Sequence, residues 1–139
     1  MSSVSALQKA LAAEHAAVYL YGVLGGRVST YGDPSLAAAL QDAYDAHRVA
    51  RDALIDRVAA AGAHPAGAAA AYVLPHGIDS AAGVRAAALG IERHCAATYL
   101  AQVAAVDGED RRLLISALGD AAVRELSFGG APQTFPGTA

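Results

Sequence analysis

The sequence predicts an all-α protein, a single four-helix bundle built from two helical hairpins with a long crossover between the second and third helices. Hydrophobic residues make up 55% and charged residues 17% of the 139 residues. This composition is too apolar for a disordered chain, and the length fits one domain. Much of the apolar share is alanine, the strongest helix former, whereas Val and Ile are few, which disfavours a large sheet.

The first predicted helix covers about residues 3–29. Residues at successive spacings of four and three form one stripe along it, as in a helix packed inside a bundle. They are Leu7, Leu11, Glu14, Val18, Tyr21, Gly25 and Val28. Asp33 suits an N-cap and Pro34 a first helical position, so they begin the second predicted helix, about residues 33–61. The short connection makes these two helices antiparallel neighbours.

Residues 62–79 do not form a continuous helix, because the segment contains two prolines together with Gly67 and Gly77. At about 3.3 Å per extended residue, the segment is long enough to follow a helix of about 28 residues, which measures roughly 42 Å. We therefore predict a crossover that runs the length of the bundle. The third and fourth helices are predicted at about residues 80–106 and 109–128, the bundle domain at 1–130, and an extended tail at 131–139.

Composition also bears on function and location. The net charge of −3 offers no basic face for nucleic acid. No segment supplies the ~18 uninterrupted apolar residues of a membrane span, and the N-terminus lacks the pattern of a secretory signal peptide. We expect a cytoplasmic protein. Cys95 is the only cysteine, which excludes an internal disulfide and predicts a buried, inert thiol.

Polar residues interrupt the apolar stripes near the middle of the helices. Glu14, His47 and Glu92 do so on the first three, and Asp120 does so less clearly on the fourth. A buried charge costs several kcal/mol unless something pairs with it. Convergent carboxylates with a single His suit iron or manganese better than structural zinc. The same residues are also explained without metal, if His47 or Arg124 neutralises the two glutamates.

The segments that carry these residues resemble a known family. They are LQKALAAEHAAVYLYG, AHRVARD, IERHCAATY and LGDAAVRE. They are similar to the actinobacterial ferritin-like domain of unknown function 4439, and the similarity extends over nearly the whole chain, including the proline-containing crossover. The resemblance implies a ferritin-like up-down-down-up bundle. It implies no particular activity, since none is established for the family.

The wider ferritin-like di-iron pattern implies a partial ligand set on the four helices. Its members here are Glu14, His47, Glu92 and Asp120. Two positions depart from the pattern. Tyr44 stands where the bridging glutamate belongs, and Val123 stands where the fourth helix would bring its histidine. The missing bridge argues against a symmetric di-iron centre.

Two hypotheses of function follow. In the first, the protein is ferritin-like and binds iron or manganese through this incomplete site. In the alternative, it is a metal-free bundle that acts as a dimerisation or partner-binding module, with a homodimer as the default assembly. A third possibility is a small-molecule pocket between the helices near Tyr21, Tyr44 and Tyr99, for which the sequence specifies no ligand. No catalytic residue is assigned.

Overall fold

The computed structural model describes residues 2–30 and 32–138, and within them it contains four α-helices and no strand. The helices are α1 (Ser3–Gly25), α2 (Pro34–Ala60), α3 (Ala81–Val103) and α4 (Gly108–Ser127). The predicted all-α four-helix bundle is confirmed. Two helices end several residues earlier than predicted. The helix α1 ends where Gly25 and Gly26 weaken helix propensity, and α3 ends before a turn at residues 104–105.

Side-chain caps fix where three of the helices begin. Ser2, Asp33 and Ser80 each accept a hydrogen bond from the backbone N–H three residues further on. Pro34 occupies the first turn of α2, where its missing N–H costs nothing. The fourth helix follows Asp107, whose side chain makes no capping hydrogen bond. These starts are therefore set largely by local sequence.

The helices run up-down-down-up. The short connection makes α1 and α2 an antiparallel hairpin, as it does α3 and α4, and the closest packing is within these hairpins. Ser3 Oγ at the start of α1 donates to the carbonyl of Ala105 just after α3, at 3.1 Å. Tyr21 Oη near the end of α1 reaches the carbonyl of Ala88 near the start of α3, at 3.3 Å. Because α1 and α3 are antiparallel, α2 and α3 run in the same direction.

The crossover begins along α1. Gln8 holds it with both ends of its amide: Nε2 donates to the carbonyl of His64 at 2.8 Å, and Oε1 accepts from the N–H of Ala66 at 2.9 Å. His15 Nε2 lies 2.9 Å from the carbonyl oxygen of Ala66. His15, one position beyond Glu14, is thus a half-buried partner of the crossover.

The core consists of small aliphatic side chains with a few large rings. The largest fully buried apolar side chains are Tyr21, Tyr99, Phe128, Leu7, Leu11, Leu24, Leu36, Leu40, Leu54 and Leu114. Cys95 is buried, as predicted. Among the described residues the buried polar side chains are Glu14, His47, Glu92, Gln102 and Glu125. None of the four helices, over residues 2–30 and 32–138, is long and apolar enough to cross a membrane.

Candidate functional site

A fully buried histidine joins two fully buried glutamates at the centre of the bundle. His47 Nδ1 lies 2.6 Å from Glu14 Oε2, and His47 Nε2 lies 2.8 Å from Glu92 Oε1. All three residues have no exposed surface. Each occupies the inward stripe of its helix, so α1, α2 and α3 contribute one member each. Three of the four residues singled out in the sequence therefore meet.

The fourth helix contributes Arg124 rather than Asp120. Arg124 Nε lies 3.1 Å from Glu92 Oε2, but the pair lacks hydrogen-bond geometry and is best described as an ion pair. Asp120 is exposed, so the expectation that it points inward is corrected. The inward face of α4 carries Leu114 and Ala121, which turns position 120 towards solvent. The arginine side chain, 20% exposed, is long enough to reach the cluster from the edge of that face.

Two buried tyrosines lie beside the cluster and differ in their hydrogen bonding. Tyr21 Oη donates to Glu92 Oε1 at 2.6 Å, and its ring stacks on that of His47 with centroids 5.3 Å apart. Tyr99 is 1% exposed, and its hydroxyl has no hydrogen-bond partner. Tyr44, at the position of the missing bridging glutamate, is half-buried and takes no part in these hydrogen bonds.

The cluster balances its own charges. Burial alone lowers the pKa of His47, but hydrogen bonds to Glu14 and Glu92 and their charges outweigh it and raise this pKa to about 9. Burial alone raises the pKa of Glu92, but the hydrogen bond and charge of His47, with Arg124 and Tyr21, lower it below its usual value. His47 is therefore a cation at neutral pH that donates from both ring nitrogens. Arg124 is the second cation.

This arrangement does not fit a resident iron or manganese ion. A histidine ligand needs a ring nitrogen with a free lone pair, and both nitrogens of His47 face carboxylates. Arg124 already occupies the other oxygen of Glu92. Val123, at the position of the missing histidine, is 65% exposed. The described residues hold no group of three or more His, Cys, Asp or Glu side chains placed to bind a metal.

A pocket opens from the surface to this cluster between α2 and α4, which pack against each other only sparsely. Its volume is about 310 Å³, and Glu14, Tyr99, Asp120 and Arg124 line it. The apolar walls are Ala46, Val49, Ala50, Ala53, Leu113 and Ala117. The sequence suggested a small-molecule pocket near Tyr99 as a third possibility, but it did not indicate that the pocket lies between α2 and α4. Arg124 was one of two candidates to neutralise the glutamates.

Comparison with known proteins places the chain in a family. A family model described as a domain of unknown function (DUF4439) matches residues 6–139. The chain is also similar to a crystal structure of a conserved hypothetical protein, rv2844, from Mycobacterium tuberculosis, at 34% sequence identity and a TM-score of 0.81. That match covers 91% of this chain and 93% of the other. No curated protein matches. Since the family model spans nearly all of the sequence, the chain belongs to the DUF4439 family.

Proposed function

We propose that this protein is a metal-free, ferritin-like bundle whose function is to bind a partner molecule, and that its buried charges form a framework rather than a metal centre. The observation that carries the proposal is the position of His47, with one ring nitrogen 2.6 Å from Glu14 and the other 2.8 Å from Glu92. The residues that would serve as iron or manganese ligands satisfy each other instead.

The charges within the cluster support this proposal. Two glutamates face one histidine cation and one arginine, so the buried set is neutral as a whole. Such networks contribute little net stability, because desolvation offsets the attraction. We infer that the cluster also favours this alignment of the helices, because the two hydrogen bonds of His47 tie α2 to both α1 and α3. A rigid bundle with an open pocket at its polar centre is a suitable binding module.

Metal loading tests the proposal. The protein is incubated anaerobically with Fe(II), Mn(II) or Zn(II), desalted, and its metal content per chain is measured. We expect no retention above background and no rise in melting temperature. Retention near one equivalent that is lost in His47→Ala, but kept in a His76→Ala variant altered at an exposed crossover position, would contradict the proposal and restore the iron or manganese hypothesis.

We also propose that the protein forms a homodimer, as the sequence predicts. On α4, three exposed apolar side chains share one face at helical spacings: Ile115, Val123 and Leu126. Gly119 lies between them and leaves room for a close approach. We place the contact with a second copy on this face. Light scattering should give the mass of a dimer for the wild type and of a monomer for Val123→Glu, whereas a wild-type monomer would rule the assembly out.

A further inference from the structure

The pocket between α2 and α4 has a polar inner end and apolar walls. Glu14 and Tyr99 belong to α1 and α3 and are fully buried, so they close the pocket from inside. Its sides are formed by small and aliphatic residues of α2 and α4, among them Val49, Ala53 and Leu113. The volume of about 310 Å³ lies at the lower end of the range for small-molecule sites, which is roughly 300–1,000 Å³.

Two buried oxygen atoms at this inner end have no hydrogen-bond partner. Glu14 Oε2 accepts from His47, but Glu14 Oε1 has no partner, and neither does the hydroxyl of Tyr99. A buried polar atom without a hydrogen-bond partner destabilises the fold, and native proteins contain few of them. Both side chains line the same pocket. A ligand that donates hydrogen bonds there would satisfy both atoms.

Charge decides which donor fits. The pocket is lined by the acidic residues Glu14 and Asp120 and by one cation, Arg124, which is engaged with Glu92. The buried groups balance, because Glu14 and Glu92 face His47 and Arg124. Exposed Asp120 at the mouth adds one further carboxyl group, which the positive charge of a ligand would balance. An anion would instead approach the carboxyl groups of Glu14 and Asp120. A protonated amine carries both the missing charge and several N–H donors.

We propose that this pocket binds a small primary amine with an apolar body. Its ammonium group donates to Glu14 Oε1 and Tyr99 Oη, and its hydrocarbon part packs against the walls contributed by α2 and α4. This inference rests on the proposed metal-free function, since a metal at the cluster would compete for Glu14. Asp120 at the exposed mouth is placed to attract the cation.

Three probes of similar shape test the ligand class: benzylamine, benzyl alcohol and benzoate. Each is titrated into the full chain at neutral pH by calorimetry, up to millimolar concentrations. We expect benzylamine to bind one per chain, benzyl alcohol to bind about tenfold more weakly, and benzoate not to bind, because charge-assisted hydrogen bonds are the stronger ones. Equal binding of amine and alcohol, preference for benzoate, or no binding of any probe would overturn the inference.

Variants test the location. Ala53→Leu fills the pocket from its half-buried wall and should weaken benzylamine binding more than tenfold, and Tyr99→Phe should weaken it about three- to tenfold. The matched control is Ala86→Leu, an exposed residue of the separate groove between α1 and α3. Binding that survives Ala53→Leu but is lost in Ala86→Leu would place the amine elsewhere and refute the site.

Metal content is measured on the same preparations, so that two failures can be told apart. Metal held through His47 would contradict the proposed metal-free function itself. A metal-free protein that ignores benzylamine would contradict only the amine site and leave the bundle's metal-free character standing.

Discussion

Tyr21 and His47 both form hydrogen bonds with the same oxygen of Glu92. The hydroxyl of Tyr21 donates to Glu92 Oε1 at 2.6 Å, His47 Nε2 lies 2.8 Å from that oxygen, and the two donor rings stack on each other at an angle of 20°. Arg124 faces the other oxygen of Glu92. Glu14, in contrast, has one partner. Glu92 is therefore the anchored carboxylate of the cluster, and Glu14 is the one with capacity for a further contact.

Removing the hydroxyl of Tyr21 should destabilise the protein, whereas removing that of Tyr99 should not. Tyr21→Phe deletes a donor to a buried carboxylate and should lower the free energy of unfolding by about 1–3 kcal/mol. Tyr99→Phe removes a buried hydroxyl without a partner and should change it by less than about 0.5 kcal/mol or raise it. Urea unfolding of both variants measures this contrast. Equal decreases in the free energy of unfolding would show that the hydrogen bond from Tyr21 to Glu92 does not stabilise the protein.

Truncating His47 should be the most damaging change in the cluster. His47→Ala leaves Glu14 and Glu92 buried without their shared cation, and breaking a buried ion pair costs about 3–5 kcal/mol. His94→Ala, at an exposed position of α3, is the matched control and should cost less than about 0.5 kcal/mol. The free energies of unfolding of the two variants should differ accordingly. A His47→Ala protein as stable as the control would contradict the role of His47 as the shared partner of Glu14 and Glu92.

Stability should depend on pH in a direction set by two groups. The pKa of His47 rises from 6.5 to about 9 on folding, so its contribution is complete below pH 6.5 and is lost as the pH rises through 9. The pKa of Glu92 is lowered below 4.5, so its contribution is complete above pH 4.5 and is lost as the pH falls through the folded value. These two groups make the protein most stable between about pH 4.5 and 6.5.

Urea unfolding at a series of pH values measures this dependence of stability on pH. The free energy of unfolding should fall by the order of 3 kcal/mol between pH 6.5 and 9. In His47→Gln that alkaline decline should largely disappear, because the group that loses its proton is gone. A wild type whose stability is flat over the same interval would contradict the assignment of His47 as a buried cation.

The inner glutamates and histidine could be predicted because each interrupts an unambiguous apolar stripe. Glu14 and Glu92 lie at positions that face the interior of the bundle, where a side chain cannot reach solvent. His47 lies at such a position on α2. The fourth helix offered no such certainty. Leu113 and Leu114 are neighbours in sequence, and periodicity alone does not say which of them faces the core.

The structure resolves that ambiguity in favour of Leu114, and Asp120 turns outward as a consequence. Arg124 reaches the cluster because its side chain is long. A pattern of inward and outward positions does not take the length of a side chain into account. The detailed path of the crossover could not be predicted from the sequence either. It depends on Gln8, whose amide meets residues more than fifty positions away.

The start of α3 is locked by a close contact that only glycine permits. A Cβ atom built at Gly83 would lie 1.6 Å from the carbonyl oxygen of Gly77, in the last part of the crossover. Gly83→Ala must therefore displace backbone and should cost at least about 2 kcal/mol. Gly90→Ala, in the same helix, meets nothing within 4 Å and should stabilise the protein by about 0.5–1 kcal/mol through helix propensity. Thermal unfolding of the pair should move the two melting temperatures in opposite directions, and a Gly83→Ala protein as stable as Gly90→Ala would show that the crossover is not clamped against α3.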